Sequence, residues 1–373
     1  MTYEGARGLV GPYLALLGAT PVVIGFAAGL GEFLGYGMRL FTGWLGDKTR
    51  AYWPLVIAGY SVNFLAVPGL ALVGRWEAAV ALVLLERIGK AIRSPSRSTL
   101  VSYAASSVGH GKGFGIDEAL DQLGAVSGPL LTAAVMWGLR AEPVLTRYQV
   151  AFGVLLLPVV ANVGFALFAR TRFPTPETME APEQTPAPMG RGFWIFLAAA
   201  MLLAFGFSDW ALVAFHAGKL GLLGPAELPL VYAGVMAVDA LAALGFGVLF
   251  DRLGLAVLAV SSLISAAFAP LVFTQTSSAL LLAGAACWAI GLGAQESIFK
   301  AAIAKLVPKH QRARAYGVFF ASFGLAWWAG STVMGWLYEV SLERLVLVSV
   351  VAQLAAVPVF LVVARRVAPQ KSG

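Results

Sequence analysis

Long apolar stretches separated by short polar breaks run along the whole chain. Each approaches the roughly 20 residues that a helix needs to cross about 30 Å of hydrocarbon. Eleven are placed near 20 to 45, 53 to 73, 77 to 93, 114 to 138, 148 to 169, 193 to 216, 228 to 250, 255 to 273, 277 to 299, 315 to 338 and 345 to 364. None shows period-two alternation, and all exceed the roughly 10 residues of a barrel strand. Backbone groups in lipid must be satisfied within the segment, so the pattern predicts helices throughout. Ahead of these spans lies a short segment, Tyr3 to Leu17, that carries Glu4 and Arg7 and ends at the turn Gly18 to Pro21. It lacks the basic start and small-residue cleavage site of a signal peptide. It reads as the outer half of a first helix whose inner half, on the order of ten residues, would precede Met1. The expected fold class is an all-α membrane protein with eleven full spans and a partial first helix.

Composition agrees with that picture. Of 373 residues 59% are hydrophobic and 12% charged, with mean hydropathy +0.80; a soluble domain carries roughly twice that charged fraction. The net charge of +7 would suggest nucleic acid in a soluble protein, but here the basic residues follow the loops. Sixteen Lys and Arg, among them Lys48, Arg50, Arg172, Arg191, Arg252 and Arg365, fall in one set of alternating loops. The opposite set carries five: Arg75, Arg140, Arg147, Lys219 and Arg344. The positive-inside rule places the richer set, and the C-terminus, in the cytoplasm, with the chain multi-pass in the cell membrane. The single cysteine, Cys287, lies in an apolar span, which excludes a disulfide framework and a Cys-based metal site.

The stretch from 171 to 192 is rich in proline and glutamate, a solvated linker's composition. It divides the chain into an N-terminal bundle, 1–170, and a C-terminal bundle, 193–373. Aligned at an offset of about 203 residues, the halves repeat. Gly43-Trp44-Leu45-Gly46-Asp47-Lys48 matches Gly247-Val248-Leu249-Phe250-Asp251-Arg252; Ile88-Gly89 matches Ile290-Gly291; Phe114-Gly115 and Gly128 match Tyr316-Gly317 and Gly330. This order predicts two six-helix bundles related by a pseudo-twofold axis, an arrangement that places a site near the membrane midplane.

The two loops, Gly43 to Arg50 and Gly247 to Gly254, resemble the signature of the major facilitator superfamily, found after its second and eighth helices. The resemblance covers the whole chain and implies twelve helices. It also implies a conformational latch made of Gly43, Gly46, Asp47 and Arg50 with Gly247, Asp251 and Arg252, in which the glycines allow close helix approach and the aspartate meets the positive N-terminal end of a neighbouring helix. The chain departs from the usual pattern: Arg50, Ala51 and Tyr52 stand where Gly-Arg-Arg or Lys is common. In the fifth span Gly124, Gly128 and Pro129 resemble a stretch associated with the superfamily's proton antiporters, with Thr132 where a further glycine is common. Glu86 to Arg93 resembles the superfamily's buried arginine segment. Together with Tyr3 to Arg7, Gly293 to Ser297 and Tyr316 to Gly317, it points to a poorly described prokaryotic subgroup.

Charges inside spans cost about 2.5 to 3.5 kcal/mol each on insertion scales unless a partner or a wet cavity compensates. Helices 1, 4, 7 and 10, which line the cavity in the resembled fold, all carry them: Glu4 and Arg7, then Glu86, Arg87 and Lys90, then Asp209, then Glu296 and Lys300. Glu4 and Arg7 are spaced to pair with each other, and Glu4 and Asp209 fall at equivalent places in the two halves. Glu32 and Arg39 share a face and are expected to bridge to the eleventh or fifth span. Asp121 and Asp239 complete the pathway candidates, and His216 is expected near the outer interface. The expected function is proton-coupled secondary transport by alternating access, exporting a small organic solute. Uptake, coupled or facilitative, and a sensor reusing the scaffold are the alternatives. No ATP-binding motif, metalloprotease motif or nucleophile elbow is present, so neither an enzyme nor a metal or cofactor is expected. The partners expected are lipid, a small solute and protons, with no nucleic acid, and the chain is expected to be monomeric.

Overall fold

The computed structural model describes residues 1–108, 110–174, 189–274, 276–307 and 312–367. Among them there is no strand. The helices are α1 (Thr2–Leu16), α2 (Pro21–Thr49), α3 (Tyr52–Gly69), α4 (Trp76–Val108), α5 (His110–Gly138), α6 (Val144–Val154), α7 (Leu156–Arg172), α8 (Arg191–Gly206), α9 (Trp210–Lys219), α10 (Glu227–Leu253), α11 (Val257–Ala266), α12 (Phe268–Phe273), α13 (Ser278–Leu306), α14 (Arg312–Val340) and α15 (Leu342–Val367). Of the expected linker, α7 reaches Arg172 and α8 starts at Arg191, while 175–188 lie outside the described residues.

Local sequence sets the ends of these helices. Thr20 caps α2 through its hydroxyl, which accepts from the Val23 amide at 3.4 Å, and Pro21 follows at the first helical position, where its missing N–H costs nothing. At the other end Arg50 adopts φ 53°, the left-handed conformation that glycine usually supplies at a C-cap. The stretch expected to stop near 93 continues as α4 to Val108. Apolarity marks where a helix lies in lipid, whereas the backbone helix runs on past that boundary.

Among the described residues nine helical stretches are long and apolar enough to cross a membrane, from Pro21–Gly46 to Leu342–Arg365. Three of them, Val144–Arg172, Arg191–Lys219 and Gly254–Phe273, are each built from two consecutive helices. Outside that set lie α1, with 15 residues, α4, with its charges from Glu86 to Arg97, and α5, whose first turns are polar.

The contacts repeat in the register seen in the sequence. A Cβ on Gly128 of α5 would strike the Met1 carbonyl, and one on Gly330 of α14 would strike the Phe205 carbonyl. Gly89 of α4 lies against Asn63, and Gly291 of α13 against Ser265. Gly43 faces Pro95, and Gly247 faces Ser297. At Gly128, Gly330, Gly89 and Gly291 the missing side chain lets two helices approach closely, whereas at Gly43 a Cβ would make ordinary contact. The most extensive helix contact joins α2 to α14, and α5 packs on α10, so both pairings join the first half to the second. Between them α1 is wedged against α5 and α9.

Candidate functional site

Short helix α1 carries a polar stripe into the centre, where four other helices meet it. The Arg7 guanidinium donates to Asp209 Oδ2 at 3.1 Å and lies 3.6 Å from Glu32 Oε1. Glu32 on α2 also receives Arg87 from α4 at 3.0 Å and the Tyr3 hydroxyl at 3.0 Å. Arg87 donates to that same hydroxyl, so Tyr3 passes the bond on to the carboxylate. Glu86 lies 3.7 Å from the Arg87 Nε, and the Asn63 amide donates to the Glu86 carbonyl at 3.2 Å while its oxygen accepts from Arg93 at 2.9 Å. Around these groups is a cavity of about 30 Å³ lined by Tyr3, Arg7, Glu86, Arg87, Asp209 and apolar side chains. That is room for a water or two, well below the roughly 300 Å³ and more of a solute pocket.

Asp209 holds its place through a break in the helix. Between α8 and α9 the residues Phe207, Ser208 and Asp209 leave helical geometry, and the Asp209 carboxylate caps α9 by accepting from the Ala211 amide at 3.0 Å. One oxygen caps and the other meets Arg7, so the carboxylate is fixed from both sides. The indole of Trp288 donates to the Ser208 carbonyl at 2.8 Å, which satisfies the freed backbone.

Several expectations change. Glu4 and Arg7 do not pair: Glu4 accepts from the Tyr232 hydroxyl of α10 at 2.6 Å, while Arg7 reaches Asp209 and Glu32. The two residues point to different helices, and each finds a nearer partner there. Glu32 turns to α1 and α4, not to the eleventh or fifth span, and Arg39 lies over the Tyr36 ring at 5.1 Å. His216, expected at an interface, is buried, its Nδ1 2.9 Å from the Tyr338 hydroxyl.

Lys90 sits with its ammonium 3.8 Å from the Tyr3 ring centroid. Glu296 and Lys300 are exposed on α13, and Glu296 interacts electrostatically with Lys300, Glu4 and Lys90. Asp121 is exposed on α5 and Asp239 is buried on α10; neither lines the central cavity. Gly124 and Gly128 pack on the start of α1, with Pro129 buried beside them and the Thr132 hydroxyl donating to the Pro129 carbonyl at 3.0 Å. Gly46 lies against Ser96 of α4, and Arg50 and Arg252 are exposed. The side chains of Asp47 and Asp251 lie outside the described residues. Sequence reasoning missed Tyr232, Asn63 and Trp288, which complete the network but belong to residue types common in any apolar span. Tyr3 stood within a segment already singled out.

At one end the halves close on each other. A Cβ on Gly11 of α1 would strike the Ala211 carbonyl of α9, and Tyr13 donates to the carbonyls of Leu70 and Val73 at 2.8 and 2.9 Å. Tyr148 and Phe152 pack on the Tyr13 ring within the first half.

A family model described as Major Facilitator Superfamily matches residues 193–373. An uncharacterized protein of Mycobacterium tuberculosis is 40% identical over 99% of this chain and 91% of its own length. An uncharacterized MFS-type transporter of Methanocaldococcus jannaschii is 26% identical over 92% of this chain and 86% of its own. Among solved structures, a peptide transporter POT in complex with sulfate superposes with TM-score 0.76 at 17% identity, covering 98% of this chain and 92% of that one. Fold and relatives are those of transporters, not enzymes.

Proposed function

Because the chain belongs to the major facilitator superfamily, and is therefore a multi-pass membrane transporter of a small solute, we propose that it is a proton-coupled exporter working by alternating access. Its moving parts are an N-terminal bundle, 1–170, and a C-terminal bundle, 193–373, joined by a cytoplasmic linker, 171–192. Counting the interrupted pairs α6–α7, α8–α9 and α11–α12 as single spans, and adding α1, α4 and α5, gives twelve segments. The two repeated close glycine contacts, Gly128 with Gly330 and Gly89 with Gly291, support a pseudo-twofold relation between them. The charge bias of the loops supports a cytoplasmic C-terminus in the cell membrane, which makes the end closed by α1 and α9 the outer one.

One observation carries the coupling: the Arg7–Asp209 ion pair joins the two halves across the central cavity. Around it stand the cations Arg7, Arg87 and Lys90 and the carboxylates Glu32, Glu86 and Asp209. A proton on Asp209 removes the carboxylate charge that holds Arg7, so protonation and separation of the halves are linked. The export direction is supported by the antiporter-like stretch Gly124 to Pro129, where α5 grips the start of α1.

Spin labels at Thr20→Cys and Lys219→Cys, on a Cys287→Ser background, read the opening of the outer end. In wild type their distance distribution should shift with pH; in Asp209→Asn it should be the same at every pH. If the variant keeps the wild-type pH response, Asp209 is not the coupling group and the role passes to Glu32.

A further inference from the structure

The break that presents Asp209 is itself held from behind. Where α8 ends, the Gly206 carbonyl loses its helical partner, and inside a membrane no water replaces it. Two side chains of α15 do so: Ser349 Oγ donates to that carbonyl at 2.6 Å and the Gln353 amide donates to it at 3.2 Å. The Gln353 amide also donates to Ser349 Oγ at 3.2 Å, and its oxygen accepts from Ser265 Oγ of α11 at 2.7 Å. All three side chains are buried. Small residues let the clamp close, since a Cβ on Gly206 would lie 2.7 Å from the Ser349 carbonyl. One on Gly291 of α13 would meet Ser265 Cβ at 2.5 Å and the Phe207 ring at 3.1 Å. From the other side Trp288 of α13 holds the Ser208 carbonyl. Three helices of the second half therefore grip residues 206–208, and Asp209 follows directly. In the first half α1 runs unbroken from Thr2 to Leu16 and carries Arg7, 202 residues before Asp209, the offset of the repeat.

A buried glutamine with two buried serines is costly in an apolar interior unless each group is bonded. An unbroken α8 packed on an apolar α15 would satisfy every backbone group without them; what they secure is the break. We propose that Gln353, with Ser349 and Ser265, is a positioning element for the coupling site. It fixes the end of α8 to the second half, so that the Asp209 carboxylate stays in its capping geometry, aimed at Arg7, and travels with the C-terminal bundle when the halves part. None of the three lines the central cavity, so they act through the backbone of the break and not on the ion pair itself. The assignment rests on the coupling reading above and adds to it the residues that hold its acidic partner in place. When the clamp is cut, residues 207–209 lose an anchor. The two bonds of Asp209, to the Ala211 amide and to Arg7, then no longer share one fixed geometry.

The full chain is purified in detergent, and amide exchange over residues 207–213 is followed by mass spectrometry in wild type, Gln353→Met, Ser349→Ala and Ser262→Ala. Methionine keeps the length of glutamine and removes its hydrogen bonds. Ser262 is a buried serine of α11 that donates to the Leu258 carbonyl of its own helix, so its loss controls for a missing hydroxyl that joins no two helices. Exchange should rise on the order of tenfold in Gln353→Met, the scale of one lost buried hydrogen bond. It should rise less in Ser349→Ala and stay at the wild-type rate in Ser262→Ala. A contact that merely adds stability is independent of the ion pair, and a double-mutant cycle separates the two roles. Denaturant unfolding is measured for Gln353→Met, Arg7→Ala and the two combined. The combined change should cost less than the sum of the single ones, because Arg7 then has only a loosened carboxylate to lose. Ser349→Ala, which leaves the Gln353 amide on the Gly206 carbonyl, carries the same cycle if Gln353→Met does not fold. Additive losses, or exchange over 207–213 unchanged from wild type, overturn the proposal. If Asp209→Asn abolishes the pH response of the labels at positions 20 and 219 while the cycle is additive, the coupling reading stands and the clamp falls. If the cycle is non-additive and exchange rises, yet the label distance in wild type ignores pH, the clamp stands and the coupling reading falls.

Discussion

The two halves share one frame and differ in chemistry. Glycines at matching places pack closely in both, yet among the described residues the central ion pairs and their hydrogen bonds draw Tyr3, Glu4, Arg7, Glu32, Glu86 and Arg87 from the first half and Asp209 and Tyr232 from the second. In the second half the matching interior is aromatic: Phe207 stacks on Trp288, Trp210 packs on Tyr232, and Phe196, Phe299, Phe319 and Phe323 form a continuous cluster. Close-packed rings have no charge state to change and few ways to rearrange. Charged pairs can be remade by a proton or a ligand. The comparison teaches that the groups able to change charge lie mainly in the first half, and the proposed switch therefore places its titrating network there, against an aromatic second half.

The largest expected effect comes from breaking the link between them. Arg7→Ala leaves Asp209 without its cation while Glu32 keeps Arg87, a loss of about 3 to 5 kcal/mol for one partner of a buried pair. Denaturant unfolding of the purified protein checks this. Arg7→Ala with Asp209→Ala should cost less than the sum of the single changes, and strict additivity would mean that the pair does not couple the halves. Next in size, the symmetric frame is tested by Gly128→Leu and Gly330→Leu, each of which forces a side chain against a backbone carbonyl of the neighbouring helix. Overpacking of this kind costs about 1 to 3 kcal/mol. Both should lower the unfolding temperature to a similar extent; a large effect at one and none at the other would break the equivalence. Tyr232→Phe is milder, because it removes one hydroxyl donor to Glu4 and keeps the ring, for about 0.5 to 1.5 kcal/mol in the same unfolding measurement.

Nine of the eleven expected spans and the repeated glycine contacts were legible because each is a property of chain order. Apolar length and glycine spacing survive translation into three dimensions almost unchanged. Partner choice was not legible. Glu4 and Arg7 stood one turn apart, the spacing of a local pair, but three other helices crowd that turn and each charge went to its nearest one. Glu32 and Arg39 shared a face on α2 and parted for the same reason, one meeting Arg87 and the other the Tyr36 ring. Asp209 read as a charge within an unbroken span. The signal for the break was present, since Ser208 and Asp209 are side chains that favour a cap over a helix interior, but the apolar run on both sides outweighed it.

The smallest expected effect isolates what burial contributes. Arg75 and Glu77, at the start of α4, meet at 3.1 Å, the same separation as Arg7 and Asp209. Their side chains are 80% and 47% exposed, against 10% and 3% for the central pair. Water and salt screen the outer pair, and holding two long side chains together there offsets what attraction remains. Arg75→Ala should therefore leave the unfolding midpoint where it was, at low salt and at high salt alike. Arg7→Ala, with identical chemistry and distance, should shift it at both. If the two substitutions cost the same, the central pair gains nothing from its dry surroundings, and its claim to be a proton-sensitive link between the halves goes with it.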